Sequence, residues 1–149
     1  MFKHILVPTD GSALSGKAVK QAVQMAQAFG ARITALHVVP SYRPVVLDGG
    51  FFMPAIPELK KRFEEETSKF SKKVLAAARK VADKDGVQCD TVTVTGNIPY
   101  ESIIKQAVKA NCDLIVMASH GRRGLDGILL GSETQKVLTH SEIPVLVCR

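Results

Sequence analysis

The sequence predicts a single three-layer α/β domain over residues 1–149, with helices doubly wound on a five-stranded parallel sheet. Three observations predict it. Five short apolar or alternating runs punctuate the chain, stretches of helical periodicity separate them, and every connection is long enough for a crossover between parallel strands. No internal repeat or shift of composition asks for a second domain.

The first run, Phe2 to Thr9, is a strand that closes at Pro8, and Asp10-Gly11-Ser12 is a turn able to cap the next helix. Val19, Ala22, Val23, Ala26 and Phe29 then fall at helical spacing, and Gly30 stops the helix. Arg32 to Val39 is the second strand. Residues 40–57 carry Pro40, Pro44, Pro54 and Pro57 with Gly49 and Gly50, so a long loop is expected there. Its Val45, Val46, Leu47, Phe51, Phe52 and Met53 suit either packing on the core or a lid. Pro57 opens a long helix with Leu59, Phe63, Phe70, Val74, Ala77 and Val81 on its predicted core face, and Gly86 closes it. Val87 to Val94 alternates valine with threonine, as a half-exposed edge strand would. A helix from Pro99 presents Ile103, Ile104, Ala107 and Val108 inward. The apolar run after Asp113 and the segment Ile143 to Cys148 supply the last two strands.

Composition narrows the function. A hydrophobic fraction of 46% and a charged fraction of 23% fit a globular chain. Cys89, Cys112 and Cys148 are too few and too far apart for a disulfide framework or a zinc site, and read as buried thiols of a reducing cytoplasm. Phe2 to Val7 is too short for a signal-peptide core and no run approaches a membrane span, so a cytoplasmic protein without a membrane partner is expected. The net charge of +6 does not imply nucleic acid. Its lysines, such as Lys60, Lys61, Lys72 and Lys73, share one polar helix with Glu64, Glu65 and Glu66 and describe a solvated face.

The chemistry concentrates in residues 113–139. The apolar run Leu114 to Ala118 gives way to Gly121, Gly124, Gly127 and Gly131, then to Ser132 with Gln135 three residues on. Glycines let the main chain approach a ligand, and a helix starting at Ser132, with a Ser132–Gln135 capping box, would point free N–H groups at an anion. Arg122 and Arg123 could add charge-assisted bonds to a polyphosphate. Two common phosphate motifs are missing: there is no GxxxxGK[ST] and no GxGxxG after a strand. A nucleophilic triad from Ser119, His120 and Asp10 is not expected, since neighbours on a strand point to opposite faces.

Ala118-Ser-His-Gly121, nine residues, then Gly131-Ser132 resembles the nucleotide motif of the universal stress proteins, which reads Gly, two residues, Gly, nine residues, Gly, Ser or Thr. The resemblance runs through Ile5-Leu-Val-Pro-Thr-Asp-Gly-Ser12, Ala35-Leu-His-Val38, Gly96 with Ile103, Asp113-Leu-Ile-Val116 and Pro144-Val-Leu-Val147. The first motif glycine is Ala118 here. Positive φ at that position would cost alanine roughly 1–2 kcal/mol, whereas the β geometry expected of an uninterrupted run costs almost nothing.

The resemblance implies strand order 3-2-1-4-5, which puts the reversal, and hence a ligand crevice, between the first and fourth strands. It implies ATP or AMP as the ligand, with Asp10 on a ribose hydroxyl or, indirectly, on a nucleotide-bound Mg ion. Pro8 and Thr9 would form a wall, and Val38 would offer main-chain groups to adenine. The phosphates would fall to Gly121, Gly131 and Ser132, aided by Ser119, His120, Arg122 and Arg123 and flanked by Met117, Ala118, Glu133 and Thr134. The implied role is a stress-response binding or signalling module with at most slow ATP hydrolysis, paired as a homodimer through residues 143–148. Two rivals share the fold: a dimeric interaction protein without nucleotide, and a true nucleotide hydrolase.

Overall fold

The computed structural model describes residues 1–44, 56–121 and 130–149. Nine elements alternate along it: β1 (His4–Pro8), α1 (Ala13–Phe29), β2 (Arg32–Val39), α2 (Pro57–Lys84), β3 (Cys89–Thr95), α3 (Pro99–Lys109), β4 (Leu114–Ala118), α4 (Ser132–His140) and β5 (Val145–Cys148). The five strands form one parallel sheet in the order β3-β2-β1-β4-β5, as expected. The two-residue alternation of the strands splits the core into two layers. Ile5, Val7, Ile33, Ala35, Leu114 and Val116 face α1 and α2, where Val19, Val23, Leu75 and Ala78 wait. Leu6, Leu36, Ile115 and Met117 face the other way, onto Ile103 and Ala107 of α3 and Val137 of α4. Each large apolar side chain so buried stabilises the fold by about 1.5–3 kcal/mol.

Helix starts and stops reflect the local chemistry. Ser15 N–H donates to the Ser12 hydroxyl at 3.1 Å, which caps α1, and Gly30 ends that helix at φ 65°, a left-handed conformation in which a Cβ is strained. Pro57 and Pro99 begin α2 and α3, where a missing N–H costs nothing.

Four expectations need correction. The capping box does not form: Gly131 is the N-cap, without a side-chain cap bond, and Ser132 is the exposed first helical residue. Gly131 N–H is already committed to Ser119 O at 2.7 Å, so the extended residue before the helix is the glycine. Second, α2 buries Ser71, Val74, Leu75, Ala78 and Ala82, while Ala77 is exposed, as are Leu59 at 48% and Phe70 at 37%. Its 28 residues run about 42 Å and outreach the roughly 23 Å of a seven-residue strand, so its first turns have no sheet beneath them. Third, Val108 of α3 is exposed and Gln106 is buried in its stead. Fourth, the terminal strands are shorter than read. β1 is His4–Pro8, and Ile143 sits in a turn closed by the Ser141 side chain, so β5 starts at Val145.

β3 is the half-exposed edge the threonines predicted. Its outer carbonyl at Cys89 accepts from Arg79 Nε at 3.2 Å and Nη2 at 2.9 Å. Of the cysteines, Cys89 and Cys112 are buried as expected and Cys148 is only half-buried. Among the described residues no helix is long and apolar enough to cross a membrane.

At the amino ends of the strands, Asp113 closes the sheet. Its carboxylate accepts Lys3 N–H at 2.7 Å and His4 N–H at 3.0 Å. His4 is buried, with Nε2 on the Thr34 hydroxyl at 2.7 Å. Burial first, and then Arg32, hold its imidazole below the ordinary value, against the Ala110 carbonyl, Asp90 and Asp113. Burial also pushes the Cys112 thiol up to about 11.

Candidate functional site

The reversal of strand order lies where β1 and β4, neighbours through Ile5↔Leu114 and Leu6↔Ile115, send their chains to opposite sides of the sheet. The turn after β1 is organised by Asp10. Its Oδ1 accepts Ser12 N–H at 3.0 Å, an Asx turn, while Gly11 passes at φ 81° under Val74. The helix cap itself is Ser12, so capping does not explain the aspartate. Asp10 Oδ2 reaches across to the other loop: a Cβ on Gly121 would stand 2.7 Å from it.

The loop after β4 is tied at three places. Ser119 N–H donates to Cys148 O at 2.7 Å, Ser119 O accepts Gly131 N–H at 2.7 Å, and Thr134 Oγ1 donates to Ala118 O at 3.0 Å. Gly131 therefore lies directly on His120, where a Cβ would meet the His120 Cβ at 3.1 Å and its Cα at 3.2 Å. The departure and return of this loop are thus held edge to edge. Ala118 is the last residue of β4, 7% exposed, and has no positive φ, so alanine carries no backbone strain where the motif has glycine.

The described residues among those expected at the site divide into three groups. Pro8, Thr9, Asp10, Ser119, His120, Gly121, Gly131 and Ser132 gather at the carboxyl ends of β1 and β4 and at the start of α4, and Val38 stands near the end of β2. Met117, Ala118 and Thr134 are buried and serve packing and the tie from Thr134 Oγ1 to Ala118 O. Glu133 turns its carboxylate away, onto Tyr100 N–H at 2.9 Å and Lys136 Nζ at 3.0 Å. Only its main chain is left for a ligand. Arg122 and Arg123, with Gly124 and Gly127, lie outside the described residues, as do residues 45–55 of the long loop.

One geometric expectation fails here. Ser119 Oγ and His120 Nδ1 stand 3.2 Å apart, because β4 ends at Ala118 and the main chain bends at both residues, so alternation no longer separates them. The sequence reading also missed His37 and Ser15. Thr9 O accepts from His37 Nδ1 at 2.7 Å, and Thr9 Oγ1 lies 3.1 Å from Ser15 Oγ. The signal for His37 was its place in the alternation, on the face of Ile33 and Ala35. Among the described residues no group of three or more His, Cys, Asp or Glu side chains could hold a metal ion.

A parallel sheet in the order 3-2-1-4-5, with close-approach glycines at its reversal, defines a doubly wound open α/β protein. The chain belongs to the universal stress protein family, whose model matches residues 1–149. It is 38% identical over 149 residues to Universal stress protein MJ0531 of Methanocaldococcus jannaschii, covering 100% of this chain and 83% of that one. The solved structure of hypothetical protein MJ0577, from the same organism, superposes with a TM-score of 0.81 at 30% identity over 99% of this chain and 96% of that one. A universal stress protein in complex with cAMP superposes with a TM-score of 0.71 at 26% identity, covering 99% and 97%.

Proposed function

We propose that the chain is one nucleotide-binding domain over 1–149, which takes ATP or AMP in the crevice between β1 and β4 and acts as a stress-response binding or signalling module. The observation that carries this is the pair Gly121 and Gly131 at the ends of β1 and β4, where a Cβ would stand 2.7 Å from Asp10 Oδ2 and 3.2 Å from His120 Cα. Without side chains at these two positions the loops after β1 and β4 approach closely, and their main-chain groups stand together at the strand ends. The cAMP complex of a relative supports the choice of an adenine nucleotide.

In this reading Gly121, Gly131 and the first N–H groups of α4 receive the phosphates, aided by the small positive charge of a helix start. Ser119, His120 and Ser132 add polar groups, and Arg122 and Arg123 add charge. Asp10 takes the ribose or a Mg ion carried by the phosphates. Pro8, Thr9 and the Val38 main chain enclose the base. No general base is assigned, so hydrolysis is at most slow. Two copies pair through 143–148, where β5 is an edge strand and Leu146 is 37% exposed, in a cytoplasmic setting. Nucleic acid has no part in it.

The test is to denature purified protein, identify the released small molecules, and titrate ATP and AMP by calorimetry, with Gly131→Val beside the wild type. Binding lost in the variant, with unchanged circular dichroism, is expected. Repeated absence of nucleotide with no binding by wild type would sink the reading and leave the interaction protein. A monomeric mass in light scattering would remove the dimer.

A further inference from the structure

His37 has no role in the site as described, yet it is 4% exposed and placed at the end of the β1 ladder. In a parallel strand, alternate residues turn both N–H and C=O toward the same neighbour. Arg32 N–H donates to Lys3 O at 3.0 Å and Ile33 N–H to Gln88 O at 2.8 Å, so the even-numbered residues of β2 address β1 and the odd ones address β3. The ladder toward β1 continues as far as Thr9 N–H, which donates to Leu36 O at 2.8 Å. Its next bond would run from Val38 N–H to Thr9 O. Among the described residues that bond is missing, and Thr9 O instead accepts from His37 Nδ1 at 2.7 Å. A carbonyl can only accept, so Nδ1 carries the proton. The Phe70 ring packs against the imidazole, centroids 5.7 Å apart.

The geometry points to His37 as a positioning residue: its imidazole takes the Thr9 carbonyl out of the β1–β2 ladder, which opens the Val38 main chain to a base edge and sets the Asp10 carboxylate opposite Gly121. The ligand named here rests on the nucleotide reading above, but the ladder geometry does not. Thr9 is held by its N–H to Leu36, its carbonyl to His37 and its hydroxyl to Ser15, so the direction in which Asp10 leaves the strand is fixed by three bonds. Without the imidazole donor, the nearest replacement for Thr9 O is Val38 N–H. The sheet would zip one bond further and close the groups a base would use.

The experiment compares wild type, His37→Phe and His37→Asn by amide hydrogen exchange without ligand and by calorimetry with AMP and ATP. Phenylalanine keeps a ring against Phe70 and lacks the donor; asparagine keeps a donor near the Nδ1 position. In His37→Phe the Val38 amide is expected to gain at least about tenfold protection and the nucleotides to lose about tenfold in affinity, while His37→Asn stays within about threefold of wild type in both. Unchanged Val38 exchange in His37→Phe overturns the inference. If wild type binds neither nucleotide, the ligand reading fails while Val38 exchange still decides the positioning role. Should His37→Phe fold poorly, nitrogen NMR of wild-type His37 decides instead: the Nδ1–H tautomer is expected, and the Nε2–H tautomer overturns the role.

Discussion

The carboxyl and amino ends of β1, β2 and β4 are finished in opposite ways. At the amino end a side chain closes the main chain: the Asp113 carboxylate takes Lys3 and His4 N–H, and His4 and Cys112 are buried behind it. At the carboxyl end the chain peels away from its own ladder, and two glycines let the following loops pack close on Asp10 and His120. The difference teaches where this fold stores stability and where the proposed ligand would have to sit. A polar group that binds main chain at one end is a brace; at the other, main chain without a Cβ beside it is the surface the proposed ligand would use.

If that contrast is right, substitutions at the two ends separate binding from stability. The largest effect is expected from Gly121→Val, which drives the Asp10 carboxylate from its place and should weaken AMP binding about 100-fold, or about 2.7 kcal/mol, with little change in urea stability. Next comes Asp113→Ala. It leaves two N–H groups without their carboxylate and should cost about 2 kcal/mol by urea denaturation while nucleotide affinity holds. Loss of affinity in that variant would break the comparison.

Smaller effects sharpen it through pH. The Cys112 thiol is raised from 9.0 to about 11 in the fold, so its contribution is whole below pH 9 and is lost as pH rises toward 11, by at most about 1.4 kcal/mol per unit. Cys112→Ala should flatten that alkaline slope in thermal melts. His4 has the opposite sign. Its folded value lies below 6.5, so stability is present above that pH and falls as the solution is made more acidic. His4→Gln should remove this shallow slope, and a wild-type profile flat down to pH 5 would contradict the buried neutral imidazole.

Much of the architecture was legible because it rests on periodicity. Arg32–Val39 was delimited from its apolar run and Pro40 alone, and Pro57 and Pro99 marked helix starts that the fold keeps. The site was legible only where glycine spacing carries it. Ser132 looked like a cap because local pattern cannot show that Gly131 N–H is committed to Ser119, at the far end of the loop before it. Ala77 and Val108 were assigned inward because helical spacing gives the width of an apolar stripe and not the reach of the sheet beneath. His37 was hidden for a related reason: its partner is a carbonyl on another strand, and sequence does not show which main-chain groups a ladder leaves over.

The arginine clamped on the outer carbonyl of β3 has its own consequence for assembly. One outward main-chain group of that margin is thereby taken, so β3 offers less to an added strand than β5 does, and the pairing proposed through β5 would leave the clamped border outermost. In that arrangement the arginine would work against a ribbon of copies growing from the β3 side.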